Sequence, residues 1–254
     1  MSASDNIESM HIEVKGLSVS YGNKRVLTNI HLDIDAGSVY GVIGPNGAGK
    51  STLFKAILGL IDINAGSIEV LGDNIHDVRK QIAYVPQKDE VDWDFPATVL
   101  DIVLMGRYPY KGIFERINKD DHAKAQEAMA KLGIEDLASR QIGKLSGGQQ
   151  QRVFLARALC QEAEIFFLDE PFVGVDITTE ERIIKILKEL SKAGKTILVV
   201  HHDLSSAQNY FDKVILLNQR LIACGPTNEV FTEDNIAKAY GPQLTILHKS
   251  GLLK

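Results

Sequence analysis

Gly44-Pro45-Asn46-Gly47-Ala48-Gly49-Lys50-Ser51-Thr52 is the stretch that decides the fold of this 254-residue chain. It matches G-x-x-x-x-G-K-[ST] in the setting that pattern needs, between a nearly all-apolar strand, Val39 to Ile43, and a helix. The helix is predicted over Lys50 to Leu60, with Leu53, Ile57 and Leu60 at helical spacing. The glycines let backbone N–H groups wrap the β- and γ-phosphates of a nucleotide, Lys50 adds a point charge, and the Ser51 hydroxyl can ligate Mg²⁺. The flanking strand and helix speak against the bland alternative, a glycine-rich turn with an exposed lysine.

Further along, Leu145-Ser146-Gly147-Gly148-Gln149 opens a second helix, Gly147 to Cys160. Its first turn offers another cluster of N–H donors at a positive helix end, suited to anionic oxygens. One chain therefore carries two half-sites for phosphate. The run Ile165-Phe166-Phe167-Leu168-Asp169-Glu170 then sets two carboxylates at the end of a buried strand, where successive side chains point to opposite faces. The pair can do two different jobs; a purely structural acidic turn is the alternative.

The strands Ile165 to Leu168 and Thr196 to Val200 flank a helix from about Thr179 to Lys192, which is the order of a buried parallel sheet. At the front, Ile12-Glu13-Val14, Leu17-Ser18-Val19 and Ile30 to Ile34 alternate as half-solvated antiparallel strands. Between Gln87 and about Cys160 the texture is helical, with helices over Val99 to Met105 and Asp120 to Leu132, the latter stopped by Gly133. Two short helices follow at the end, with Thr227 and Thr232 as N-caps and Gly241 as a stop.

The order and spacing of these motifs resemble the ATP-binding cassette family, from about Met10 to Gly241. The resemblance implies an α/β phosphate-loop NTPase core of RecA-like parallel sheet, an N-terminal antiparallel β subdomain and an inserted α-helical subdomain. The boundaries expected are a polar tail over 1–10, an ATP-binding core over 11–88 and 161–230, a helical signature subdomain over 89–160 and a C-terminal helical tail over 231–254. It also implies an ATPase using ATP and Mg²⁺, working as a head-to-tail homodimer in which each ATP lies between the phosphate loop of one subunit and Ser146, Gly147, Gly148 and Gln149 of the other.

Residue by residue, the resemblance assigns Asp169 to the Mg²⁺ shell, directly or through water, and Glu170 to polarising the attacking water. Gln87, in Tyr84-Val85-Pro86-Gln87, matches the family's glutamine loop, which reaches Mg²⁺ and that water. His202, before Asp203, matches the switch histidine at the γ-phosphate; His201 is the alternative if the register slips by a residue. Tyr21, before Gly22, fits the aromatic that stacks on adenine, or packs on its own sheet. Asp176 matches a loop that couples the two sites, although Val173-Gly174-Val175 replaces the family's common Ser-Ala-Leu there, which puts contacts from Val173 in doubt.

Composition narrows the use of the ATPase. A net charge of −5 supplies no basic field, so general nucleic-acid binding is not expected. The polar start MSASDNIESM lacks the pattern of a secretory signal, and no apolar stretch approaches the roughly 18 residues that cross a bilayer. Cys160 and Cys224 form no metal-spaced pair and read as small buried apolar residues in a reducing compartment. The seven histidines, among them His11, His31, His76, His122 and His248, show no ligand spacing, so no transition-metal site is expected.

The chain has one cassette, no sustained heptads and no membrane helix, which leaves a separate ATPase subunit docking on membrane subunits. Val91-Asp92-Trp93-Asp94-Phe95-Pro96, followed by Val103 to Tyr108, resembles the ATPase subunits of bacterial manganese, zinc and iron importers. An importer of iron chelates or other small substrates, and a soluble cassette without transport, remain the other readings. The favoured resemblance implies a permease docking near Trp93 to Pro96, an extracytoplasmic metal-binding protein as an indirect partner, and a peripheral place on the cytoplasmic face of the bacterial membrane. The alternative for Trp93 and Phe95 is packing of the helical insert against the core.

Overall fold

The computed structural model describes residues 10–112 and 114–241. The polar start of the chain up to Ser9, His248 and the tail beyond Gly241 lie outside the described residues. In chain order the elements are β1 (Met10–Tyr21), β2 (Lys24–Asp35), β3 (Val39–Ile43), α1 (Lys50–Ile57), β4 (Ala65–Val70), α2 (Ile75–Val78) and β5 (Ile82–Val85). Then come α3 (Val99–Leu104), α4 (Lys119–Leu132), α5 (Gly147–Gln161), β6 (Ile165–Asp169) and α6 (Ile177–Lys192). The chain closes with β7 (Thr196–His201), α7 (Leu204–Tyr210), β8 (Lys213–Asn218), β9 (Arg220–Pro226), α8 (Thr227–Val230) and α9 (Glu233–Tyr240). This is a mixed α/β fold with a parallel sheet, a separate antiparallel β subdomain and a helical insertion. Lys80–Leu190 forms one compact unit, and the described residues on either side of it form another.

In the flanking unit, β1 pairs antiparallel with both β2 and β4. The two apolar pairs Ile12, Val14 and Leu17, Val19 belong to one strand and are all buried. Their alternation changes phase between Val14 and Leu17, where the register shifts against β2; an extra residue in the ladder keeps both pairs facing the core. A second sheet places β3 between β7 and β8, parallel to both, with β9 antiparallel on β8. Every residue of β3 and β7 is buried, which is why both read as continuous apolar runs.

Several expectations are corrected here. The helix after the phosphate loop ends at Ile57, because Gly59 turns left-handed at φ 63° and the Leu60 amide bonds back to the Lys55 carbonyl; Leu60 is exposed. Thr227 is the first residue inside α8 after Pro226, and its buried hydroxyl donates to the Phe211 carbonyl instead of capping. Thr232 does cap α9, accepting from the Asn235 amide, and Gly241 ends it. Cys160 is buried but Cys224 is exposed. His201 is the last residue of β7 and does not lie beyond it.

The Lys80–Leu190 unit carries the short parallel pair β5 and β6 and the helices α3 to α5. Each of these helices starts with a reciprocal capping box: Thr98 with Asp101, Asn118 with Asp121, and Ser146 with Gln149. After Leu104 the chain tightens into a 3₁₀ turn, Met105–Tyr110, which presents Arg107 to a buried ion network. Arg107 Nε donates to Asp121 at 3.2 Å, its Nη1 donates to the Cys160 carbonyl at 2.9 Å and to Glu162 at 3.0 Å, and Lys111 reaches Asp121 at 2.6 Å. These bonds tie the end of α5 to the start of α4.

Burial alone would raise the Asp121 carboxyl, but bonds from Lys111, the Asn118 amide and Arg107 outweigh it and hold it at about 2. A depressed carboxyl stabilises the folded state above its ordinary value of 3.8, and that contribution is lost as pH falls through about 2. Asp121→Asn is therefore expected to lower the melting temperature by several degrees at pH 7, and to flatten its decline between about pH 4 and pH 2. Parallel melting curves for the two proteins across that range would show the network to be energetically idle.

Candidate functional site

The phosphate loop leaves the C-terminal end of β3 at Gly44. A Cβ at Gly44 would collide with the Leu217 carbonyl, so only glycine lets the loop lie against β8. Gly49 sits at φ 97° just before α1, a conformation that costs other residues, and a Cβ there would stand 2.6 Å from Leu27 Cδ2. The Ala48 carbonyl accepts from the Gln219 amide at 2.8 Å, which anchors the loop from behind. Lys50 is 7% exposed, and its ammonium donates to the Gly44 and Pro45 carbonyls at 2.8 and 3.1 Å.

The first-turn amides of a helix such as α1 precede its own ladder of bonds, no side chain caps this helix, and no acidic residue stands in its first turn. With the positive helix end and Lys50 they fit an anionic phosphate chain. The neighbouring strand β7 pairs Ile43 with His201, so its end stands level with the start of the loop. His201 is 4% exposed, its Nε2 is 2.8 Å from Ser206 Oγ, and burial, then the neighbouring His202, pushes it down to about 4. It is neutral at physiological pH. His202 is exposed, one residue past the strand end. Of the two, His202 is the one open to a ligand. Tyr21 ends β1 with 51% of its surface exposed, so its ring is not packed down on its own sheet.

In the Lys80–Leu190 unit, β5 and β6 pair Val85 with Leu168, bringing Gln87 and the Asp169-Glu170 pair out at the same end. Gln87 Nε2 donates to Glu170 Oε2 at 3.1 Å. Asp169 is fully buried at the strand end, whereas Glu170 is left-handed at φ 52° and partly exposed, so the two carboxylates do diverge. Asp169 and Gln87 carry hard oxygen donors of the kind Mg²⁺ takes. Among the described residues, no group of three or more His, Cys, Asp or Glu side chains is arranged to hold a metal ion by itself.

The second half-site is also built. Ser146 Oγ accepts from the Gln149 amide at 3.3 Å while Gln149 Oε1 accepts from the Ser146 amide at 2.9 Å. The cavity beside them, about 240 Å³, is lined by Ser146, Gly147, Gly148, Arg152, Asp176 and Thr179, among others. Asp176 accepts from the Thr179 hydroxyl at 2.7 Å and amide at 3.0 Å, bonds that hold its carboxyl below the usual range, with Arg152 adding to them. Val173 is partly exposed. Sequence reading passed over Lys88, whose ammonium rests against Gly147 where any Cβ would strike it; its only signal was adjacency to Gln87.

The two aromatics of the loop over Trp93 to Pro96 are placed differently. Trp93 is half-buried, its ring edge-on to Phe154 of α5 at 5.2 Å and its Nε1 donating to the Lys88 carbonyl at 2.9 Å. It packs within the helical unit. Phe95, 51% exposed, is the aromatic this loop presents to solvent. Arg157 lies over the other side of this cluster, 4.6 Å from the Phe154 ring, and donates to the Tyr84 carbonyl at 2.8 Å.

Comparison with known proteins agrees with this layout. A family model described as ABC transporter matches residues 27–173. The manganese transport system ATP-binding protein MntB of Bacillus subtilis (strain 168) is 54% identical over 236 residues, 93% of this chain and 94% of that protein. The zinc transport system ATP-binding protein TroB of Treponema pallidum (strain Nichols) is 50% identical over 234 residues, 92% of this chain and 88% of that protein. Among solved structures, an ATP-binding subunit of an ABC transporter superposes with a TM-score of 0.78 at 26% identity, covering 96% of this chain and all of that one.

Proposed function

The chain belongs to the ABC transporter family, and we propose that it is the ATP-hydrolysing subunit that powers import of a divalent transition metal ion, manganese, zinc or iron, through a separate membrane permease. The observation that carries the reading is identity of half or more, over more than nine-tenths of this chain, to both a manganese and a zinc transport ATP-binding protein. Among the described residues no helix is long and apolar enough to cross a membrane, so the pathway for the ion is assigned to the permease. An extracytoplasmic metal-binding protein would deliver the ion, and the chain would sit at the cytoplasmic face.

In this reading the loop Gly44 to Thr52 holds the phosphates, Lys50 neutralises them, and Tyr21 stacks on adenine. Ser51, Asp169 and Gln87 would hold Mg²⁺, which would supply positive charge to the phosphate oxygens. Glu170 takes a proton from the attacking water, which Gln87 helps orient, and His202 contacts the γ-phosphate. Ser146 to Gln149, with Asp176, meet the nucleotide of a second copy of the chain. The geometry supporting these roles is the bond between Gln87 and Glu170 and the exposure of His202 next to the buried His201.

The permease is assigned to the loop ending in Phe95, and the test uses that residue alone because Trp93 packs on Phe154. Phe95→Ala should leave the ATPase rate and melting temperature of the purified chain unchanged within error. It should at the same time lower recovery of the chain with its membrane partner and cut cellular uptake of manganese or zinc several-fold. Wild-type uptake and recovery in this variant would move the docking site elsewhere, and metal uptake unaffected by deleting the whole chain would remove the transport reading.

A further inference from the structure

Tyr84 stands on β5 opposite Phe167 of β6, so the two side chains share one face of the parallel pair. Asp169, two residues beyond Phe167, returns to that same face, whereas Val85 turns to the other. The phenol oxygen of Tyr84 is shut off from solvent and has no hydrogen-bond partner among the described residues. A buried hydroxyl left in that condition is a standing cost that phenylalanine would avoid at nearly the same volume. Its ionisation is pushed up, first by burial and then by the Asp169 and Glu90 carboxylates, which places the phenol within the field of the metal-binding acid. The Tyr84 carbonyl accepts from the half-buried Arg157 at 2.8 Å.

We propose that Tyr84 is a positioning residue of the ATPase site, whose hydroxyl donates to the Asp169 carboxylate when Mg²⁺ and ATP are held, fixing the oxygen that Asp169 turns to the metal. This rests on the ATPase reading above. A neutral donor behind a metal-binding carboxylate orients it without competing for the ion, and such outer bonds tune metal affinity. Tyr84 would then act on the Mg²⁺ requirement and not on ATP recognition, since no other atom of its side chain can form a hydrogen bond.

The test is the Mg²⁺ dependence of thermal stabilisation by ATP, measured on the full chain as wild type, Tyr84→Phe and Asp169→Asn. In Tyr84→Phe the melting temperature without nucleotide is expected to match or exceed wild type, because the orphaned hydroxyl is gone. The Mg²⁺ concentration giving half of the ATP-dependent shift should rise about three- to tenfold, the size of one hydrogen bond. ATP affinity measured with EDTA present should not move. Identical Mg²⁺ curves for wild type and Tyr84→Phe, with Asp169→Asn shifted, would overturn the role of Tyr84 and leave the ATPase reading standing. A loss of stability in Tyr84→Phe without nucleotide and no Mg²⁺ shift would make the residue structural. If Asp169→Asn also left the Mg²⁺ curve in place, the assignment of the metal would fall, and Tyr84 with it.

Discussion

Glu170→Gln is expected to bind ATP as the wild type does and to hydrolyse it at least about a hundredfold more slowly, the contribution of a positioned general base. The substitution is close to isosteric, and the new amide oxygen can still accept the 3.1 Å bond from Gln87 Nε2, so the local geometry should persist. Glutamine tolerates the left-handed backbone at φ 52° no worse than glutamate does. What disappears is the capacity to take a proton. Because each ATP held between two copies would then survive, an ATP-dependent dimer should accumulate on gel filtration, where the wild type is expected to return to monomers after turnover. Near-normal hydrolysis in the variant would remove Glu170 from the role and return the base to some other group.

The second large effect is expected at Ser146. Ser146→Arg should bind ATP as a monomer and lose dimer-dependent hydrolysis, since bulk and misplaced positive charge would fill the 240 Å³ cavity proposed to receive the other copy's phosphates. The residue also caps α5, so replacing it with a side chain that cannot cap costs about 0.5–2 kcal/mol of stability. Ser146→Ala carries that same loss without the bulk and is the control. Mixing Ser146→Arg with Lys50→Ala subunits leaves at most one intact composite site in each heterodimer, so at equal mixing, where about half of the dimers are mixed, up to about a quarter of the activity should return. If Ser146→Arg monomers lost ATP affinity as severely as Lys50→Ala monomers, the idea of a site shared between copies would be wrong.

Where one element stated its own rules, the sequence was readable. The phosphate loop lies between an all-buried strand and a helix, and the signature segment opens with a serine that caps and a glutamine that returns the bond; both are local signals. The four strands that went unread had none. β4 is mostly exposed and shows no alternation, and β5 is only four residues long. β8 is an unbroken apolar run that periodicity cannot tell from a helix, and β9 buries little of any side chain. α7, Leu-Ser-Ser-Ala-Gln-Asn-Tyr, consists largely of poor helix formers and is started by the Asp203 cap.

At the site, residue types and spacing named the groups but not their company. That Gln87 meets Glu170 and that Trp93 packs on Phe154 are contacts across long stretches of chain, and that His201 is buried while His202 is exposed follows from the strand end and the packing around it. Sequence left docking and packing both open for Trp93 and Phe95, because the charge of their loop is a local property and packing is not. The ion network of Arg107, Asp121, Lys111 and Glu162 was invisible for the same reason.

The loop that carries Phe95 is stitched along its length to the segment that leads into the signature helix. The Ile142 amide bonds to the Ala97 carbonyl at 3.0 Å, Val99 bonds to the Arg140 carbonyl at 2.9 Å, and a Cβ at Gly143 would stand 2.7 Å from the Trp93 carbonyl. A membrane partner docking here, as proposed, would meet a surface already ordered, so little of the binding free energy would be spent on freezing a loose segment. Slow amide hydrogen exchange at Ile142 and Val99 in the isolated chain is the signature of such preorganisation. It also implies that partners should differ more in how long they stay bound than in how fast they arrive.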